Sequence, residues 1–132
     1  MIKFIFLITL VCIHLFAGEI ILVKSSACKV ESLSTTDVKQ LFMLKRTTVS
    51  GEMFLIVDSL NKDTYKKFVR NYLGKNQRQI KAYWTRMLFT GRKIPPKKLE
   101  ISEFDVSRGN QCVISYCKIE EKPRNVKEIL IR

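Results

Sequence analysis

Two short clusters of small polar side chains carry the first chemical hint in this sequence: Ser34-Thr35, and Ser59-Leu60-Asn61-Lys62-Asp63-Thr64. Each stands directly before a run with helical apolar spacing. Hydroxyl and amide side chains in such places have two uses. They cap a helix by taking up backbone N–H groups that its first turn leaves without partners. Alternatively, they join those N–H groups in holding a small anion, which the helix dipole also favours. Arg92 offers a guanidinium fork for an oxyanion, or a cation that complements the dipole at a helix end. Both uses are open to Ser34, Thr35, Ser59, Asn61, Thr64 and Arg92. Asp63 opposes an anion unless it accepts a hydrogen bond from a protonated oxygen. A site built from both clusters requires the helix starts near Ser34 and Ser59 to converge on one basic pocket.

Other chemistries have less to work with. The one histidine, His14, lies in the first apolar segment, and no Cys-x-x-Cys pair occurs, so no metal is expected. No Gly-x-Ser-x-Gly motif marks a nucleophile. Glu120-Glu121, read as neighbours on a strand, point to opposite sides and make no acid/base pair. Neither an enzyme nor a cofactor is expected. Cys28, Cys112 and Cys117 are the disulfide candidates. Cys112 and Cys117 fall in one extended segment, roughly 16 Å apart if it is a strand, whereas bridged Cα atoms lie within about 7 Å. Cys28 with Cys112 or with Cys117 is the better pairing; buried thiols acting as small hydrophobes are the alternative.

The 132 residues include 24 Lys or Arg against 12 Asp or Glu, a net charge of +12. That balance suits phosphate, nucleic acid, anionic lipid or an acidic protein, although scattered lysines also serve solubility. The stretch "LGKNQRQIKAYWTRMLFTGRKIPP", Leu73 to Pro96, is basic and holds the only Trp. A base-stacking surface needs its aromatics among the cations. Here Ile80, Tyr83, Trp84, Met87 and Leu88 share one helical face, while Lys81, Thr85 and Arg86 take others. Tyr83 and Trp84 are expected in a core, and nucleic acid is not an expected partner.

Along the chain, Ile20 to Val23 reads as a buried strand. Ser34 caps a helix with Asp37 at its third position, Val38, Leu41 and Phe42 forming the apolar face, and Lys45-Arg46 at its end. Ser50-Gly51 makes a turn before a central strand at Met53 to Val57. Tyr65, Phe68, Val69, Tyr72 and Leu73 define a second helix, stopped by Gly74. Asn76 and Gln79 cap a third, which Gly91 ends. Pro95-Pro96 marks an irregular connection. Ser102 starts a short helix closed by Gly109, and strands follow at Cys112 to Cys117 and Val126 to Ile131. Alternating strands and helices favour an α/β sheet. Before all of this, Met1-Ile2-Lys3 is basic, Phe4 to Phe16 carries no charge, and Ala17-Gly18 is small. Residues 1–17 read as a secretory signal peptide and 18–132 as one domain. The domain is then expected to be periplasmic or secreted, with no stable membrane insertion after cleavage, because the apolar run is too short to span a bilayer.

"LSTTDVKQLFMLK", a strand ending "IVD", "YKKFVRNYLGKNQRQIKAYWTRMLFTGRKIPP" and "CVISYCKI" together resemble a known family over roughly residues 20–120. It is the short exported proteins similar to phosphate ABC-transporter substrate-binding proteins. Leu73 to Pro96 is the most specific part. Leu44 stands where the family has Gly, and "CVISYC" keeps Ile114 and Tyr116 while replacing both Gly of the family's strand. The resemblance implies an α/β fold of about one periplasmic-binding-protein-like lobe, a mixed sheet flanked by helices. It also implies an anion-binding, non-enzymatic role, with inorganic phosphate or a similar small anion as ligand and Ser34, Thr35, Ser59, Asn61, Thr64 and Arg92 as the candidate anion-binding residues, Lys62 adding charge. A lone lobe leaves the ligand half in water, so tight binding requires a homodimer or a second protein to close the cleft. The loop from Asp58 to Thr64 lacks the family's Gly, which fits a different outcome: a protein-interaction module that kept the fold and lost the ligand.

Overall fold

The computed structural model describes residues 18–104 and 111–132. The proposed signal segment and the closure by Gly109 lie outside the described residues.

The apolar β-branched runs form the centre of a seven-stranded, curled mixed sheet with the order β2-β7-β1-β6-β4-β3. Its strands are β1 (Ile20–Lys24), β2 (Ser32–Leu33), β3 (Thr48–Val49), β4 (Glu52–Ser59), β5 (Lys97–Leu99), β6 (Cys112–Lys118) and β7 (Lys127–Ile131). β4 pairs with β6 along one side. Its other side is shared by β3 at the start and β5 at the end. The pairings make β2, β7, β6, β4 and β5 run the same way, with β1 and β3 against them. Ser50 and Gly51 both have positive φ, 51° and 79°, the conformation of a two-residue hairpin turn between β3 and β4.

Three helices, α1 (Thr35–Phe42), α2 (Lys62–Tyr72) and α3 (Gln77–Phe89), cover one face of the sheet. Their starts follow their sequences. Ser34 and Asp37 form a reciprocal capping box on α1, and Asn76 and Gln79 do the same on α3. Asn61 caps α2, and Gly74 follows it at φ 63°, the left-handed region open to glycine. Val38, Leu41, Phe42, Phe68, Val69 and Ile80 meet the Leu22, Ile56 and Ile114 side of the sheet. Trp84 is 8% exposed, and the Tyr83 hydroxyl donates to the carbonyl of Met43 at 2.7 Å. Tyr83 and Trp84 are thus part of the scaffold, whereas Phe89, in the same stretch, is exposed. The opposite face, with Val23, Val57, Val113 and Cys117, packs beneath Phe104 and Val126.

Cys28 and Cys112 are bonded, tying the loop after β1 to the start of β6, and Cys117 is a buried free thiol. Glu120 and Glu121 lie in a 3-10 turn, Ile119–Glu121, so the reasoning from strand alternation does not apply to them. Three strands go beyond the sequence reading. β2 and β3 have only two residues each. β5 starts directly after Pro95-Pro96, where an irregular connection is expected.

Candidate functional site

In an open α/β sheet, the carboxyl ends of parallel strands face a crevice, and ligands of such folds bind there. Here β4 and β5 end side by side, and the chain after β4 turns directly into α2. α3 and the Pro95-Pro96 connection complete the wall. Two adjoining cavities of 430 and 350 Å³ result, sharing Tyr65, Gln77 and Lys98. Asp58, Trp84 and Lys81 line the first; Ser59, Lys62 and Lys66 line the second.

The floor of this cleft is built from the core upward. Phe68 stacks on Tyr116 with ring centroids 3.7 Å apart, and Phe42 leans on both. The stack fixes Tyr116 so that its hydroxyl donates to Asp58 Oδ1 at 2.7 Å and accepts from the Ser59 N–H at 3.2 Å. Asp58 is 6% exposed. Burial pushes its carboxyl up from 3.8 to about 6, and the Tyr116 hydrogen bond and the Lys98 charge only partly offset this. Burial, followed by the Asp58 charge, pushes the Tyr65 hydroxyl up to about 12. The same two causes raise Tyr116 further. Above this floor, the Lys98 ammonium lies 4.1 Å from the Tyr65 ring centroid, a cation–π contact. A protonatable acid therefore shares a cavity with Lys81 and Lys98, and Lys98 also lines the adjoining cavity with Lys62 and Lys66.

The structure separates the residues singled out by sequence. Ser59 lines the cleft, and its Oγ accepts from the Asn61 N–H. The Asn61 side chain is committed as a cap, accepting from the Thr64 N–H at 3.0 Å. Thr64 is 1% exposed, and its hydroxyl is buried without a hydrogen-bond partner among the described residues, so it does not meet a ligand in the cleft. Ser34 and Thr35 are elsewhere. α1 starts from β2, four strands across the sheet from β4, or about 19 Å at ~4.8 Å per strand. The two helix starts therefore do not share one pocket. Both open at the same end of the sheet, but the strand order holds them apart. The Ser34 hydroxyl accepts from the Asp37 N–H, and Thr35 is exposed. Arg46 and Arg132 lie 3.3 and 3.7 Å from the Asp37 carboxylate. That carboxylate sits below its ordinary value: burial raises it, and the bonds from Ser34 and the two guanidinium charges together outweigh burial. Arg92 is exposed in the turn after α3, its N–H bonded to the Met87 carbonyl, and belongs to no wall of the cleft. Asp63 faces Lys67 and Lys118, at 3.3 and 3.1 Å, and not the cleft.

Asp58, Tyr65, Lys66, Lys81 and Lys98 are cleft residues that the sequence pattern does not single out. For Asp58 one signal was available: an acid at the end of an otherwise apolar strand, where a parallel sheet opens to ligand. Among the described residues, no group of three or more His, Cys, Asp or Glu is arranged to hold a metal, and no helix is long and apolar enough to cross a membrane. No protein-family model and no curated protein sequence matches this chain.

Proposed function

We propose that this chain is an exported, non-enzymatic anion-binding module, with inorganic phosphate as the first ligand, built as about one lobe of a periplasmic-binding-protein-like fold. The observation that carries the proposal is that Lys98 lines both of two adjoining cavities at the carboxyl ends of β4 and β5, with Lys81 and Asp58 in one and Lys62 and Lys66 in the other. The buried acid in the first suits a protonated oxyanion. The Asp58 carboxylate accepts a hydrogen bond from the hydroxyl of hydrogen phosphate, whereas sulfate has no such hydrogen at neutral pH. Leu44 supports the family resemblance. It holds φ at 54°, left-handed backbone that glycine adopts without strain, at the position where the resembled family carries Gly. Export rests on the apolar segment before residue 18.

Exposed charge-assisted contacts of about 1 kcal/mol each give roughly −4 kcal/mol for a single open lobe, a Kd of about 1 mM. Closure by a second copy or another protein is what would tighten it. Calorimetric titration of the full chain with phosphate and with sulfate tests the proposal. Saturable heat with phosphate and none with sulfate supports it, and no heat with either at tens of millimolar overturns it.

A second reading draws on the donors of this loop. The Ser59 and Thr64 N–H groups are taken by Tyr116 and Asn61, and no Gly between Asp58 and Thr64 lets a ligand approach the backbone closely. A module that binds a protein partner has no need of either. A pull-down whose captured partner is indifferent to added phosphate, together with silent calorimetry, favours this reading.

A further inference from the structure

The outer side of α3 has a character that neither the core nor the cleft explains. Ile80 and Trp84 turn inward. At 100° per residue, Arg78, Arg86 and Phe89 turn the other way, and the three line one shallow depression. Leu88 is 53% exposed and Phe89 89% exposed at the helix end. Arg92 follows in the next turn, and Ile94, 77% exposed, comes two residues later. No Asp or Glu occurs between Lys75 and Leu99. Among the described residues, none of these arginines is paired with a carboxylate.

We propose that this face, the outer side of α3 and the turn after it, docks on an anionic bilayer surface. Cations beside an exposed apolar tip match the two layers that such a surface presents. The arginines meet charged headgroups, while Leu88, Phe89 and Ile94 reach the boundary with the acyl chains, a depth of about 5–10 Å. A nucleic-acid backbone would take the arginines but gives the aliphatic Leu88 and Ile94 nothing to contact. The whole chain's excess of positive charge steers it to the same surface. Leu88 also lines the first cavity of the cleft, but Arg78, Arg86, Phe89, Arg92 and Ile94 line neither cavity, so variants at these positions test docking apart from anion binding.

The test uses the full chain carrying Phe89→Trp, mixed with vesicles of phosphatidylserine and phosphatidylcholine whose acyl chains are brominated. Trp84, being buried, supplies a constant background. The expected result is a blue shift and quenching of the fluorophore at position 89, lost at high salt. Each cation at the surface contributes about fivefold in partitioning. Arg78→Gln with Arg86→Gln should therefore weaken binding about 25-fold, and both changes are on the solvent side of the helix. Absence of quenching overturns the proposal. So does equal binding to pure phosphatidylcholine, which points to the apolar segment from Phe4 to Phe16 instead. Binding to polyglutamate that Phe89→Ser leaves unchanged, without vesicle binding, also overturns it and identifies an acidic polymer as the occupant.

Discussion

Asp58→Asn should make the protein more stable at neutral pH, not less. The wild-type carboxyl titrates at about 6 in the fold against 3.8 as its ordinary value, because burial penalises its charged form. The folded state therefore holds the proton more tightly than the unfolded chain, and stability falls as pH rises between those two values. Linkage with these values gives a wild-type penalty of about 0.5 kcal/mol at pH 4 and about 3 kcal/mol at pH 7, level above that. Asparagine carries no charge and keeps an amide oxygen that accepts from the Tyr116 hydroxyl, so the floor of the cleft stays built. Other carboxylates, including Asp37 and Asp63, titrate in both proteins and cancel in the difference. The assay is urea unfolding of both chains at intervals from pH 4 to pH 8. The variant's advantage should grow with pH by about 2–3 kcal/mol and then flatten. An advantage independent of pH, or a wild type that gains on the variant as pH rises, would show that the lysines and Tyr116 outweigh burial, and would refute the reasoning.

Trp84→Ala should cost about 3–5 kcal/mol in urea unfolding, since the side chain fills the layer between α3 and the sheet. Ser34→Ala removes the α1 capping box and should cost about 1 kcal/mol without changing any response to phosphate. Reduction of the Cys28–Cys112 bond should lower the urea midpoint by the equivalent of about 2–5 kcal/mol. Cys117 should resist alkylation at pH 8 until the chain unfolds, as judged by peptide mass spectrometry, because burial pushes its thiol up to about 11.

What could be read from the sequence was local. Ser34 with Asp37, and Asn76 with Gln79, announce helix starts within four residues, and the apolar spacing through Ile80, Tyr83 and Trp84 names the buried face of α3. The sheet was less legible because its order depends on pairings distant in sequence. β5 begins with two lysines after two prolines and is a strand only because β4 offers it an edge. The site followed the same division. Hydroxyl residues at a helix start look alike whether they cap or bind, and strand order alone decides that Ser34 lies across the sheet from Ser59. Asp58 reads as the first residue of a polar loop. Its burial is set by Tyr116, 58 residues further along, and by the aromatic stack that holds that hydroxyl in place.

The central claim is that the lysine-lined cleft holds phosphate. Calorimetric titration of the wild type and of Lys98→Gln with phosphate tests it most directly. Lys98 is exposed on β5, so the change leaves the fold intact, and the loss of about 1 kcal/mol should raise a Kd near 1 mM about fivefold. Equal heats from the two proteins, or none from the wild type, would contradict the claim.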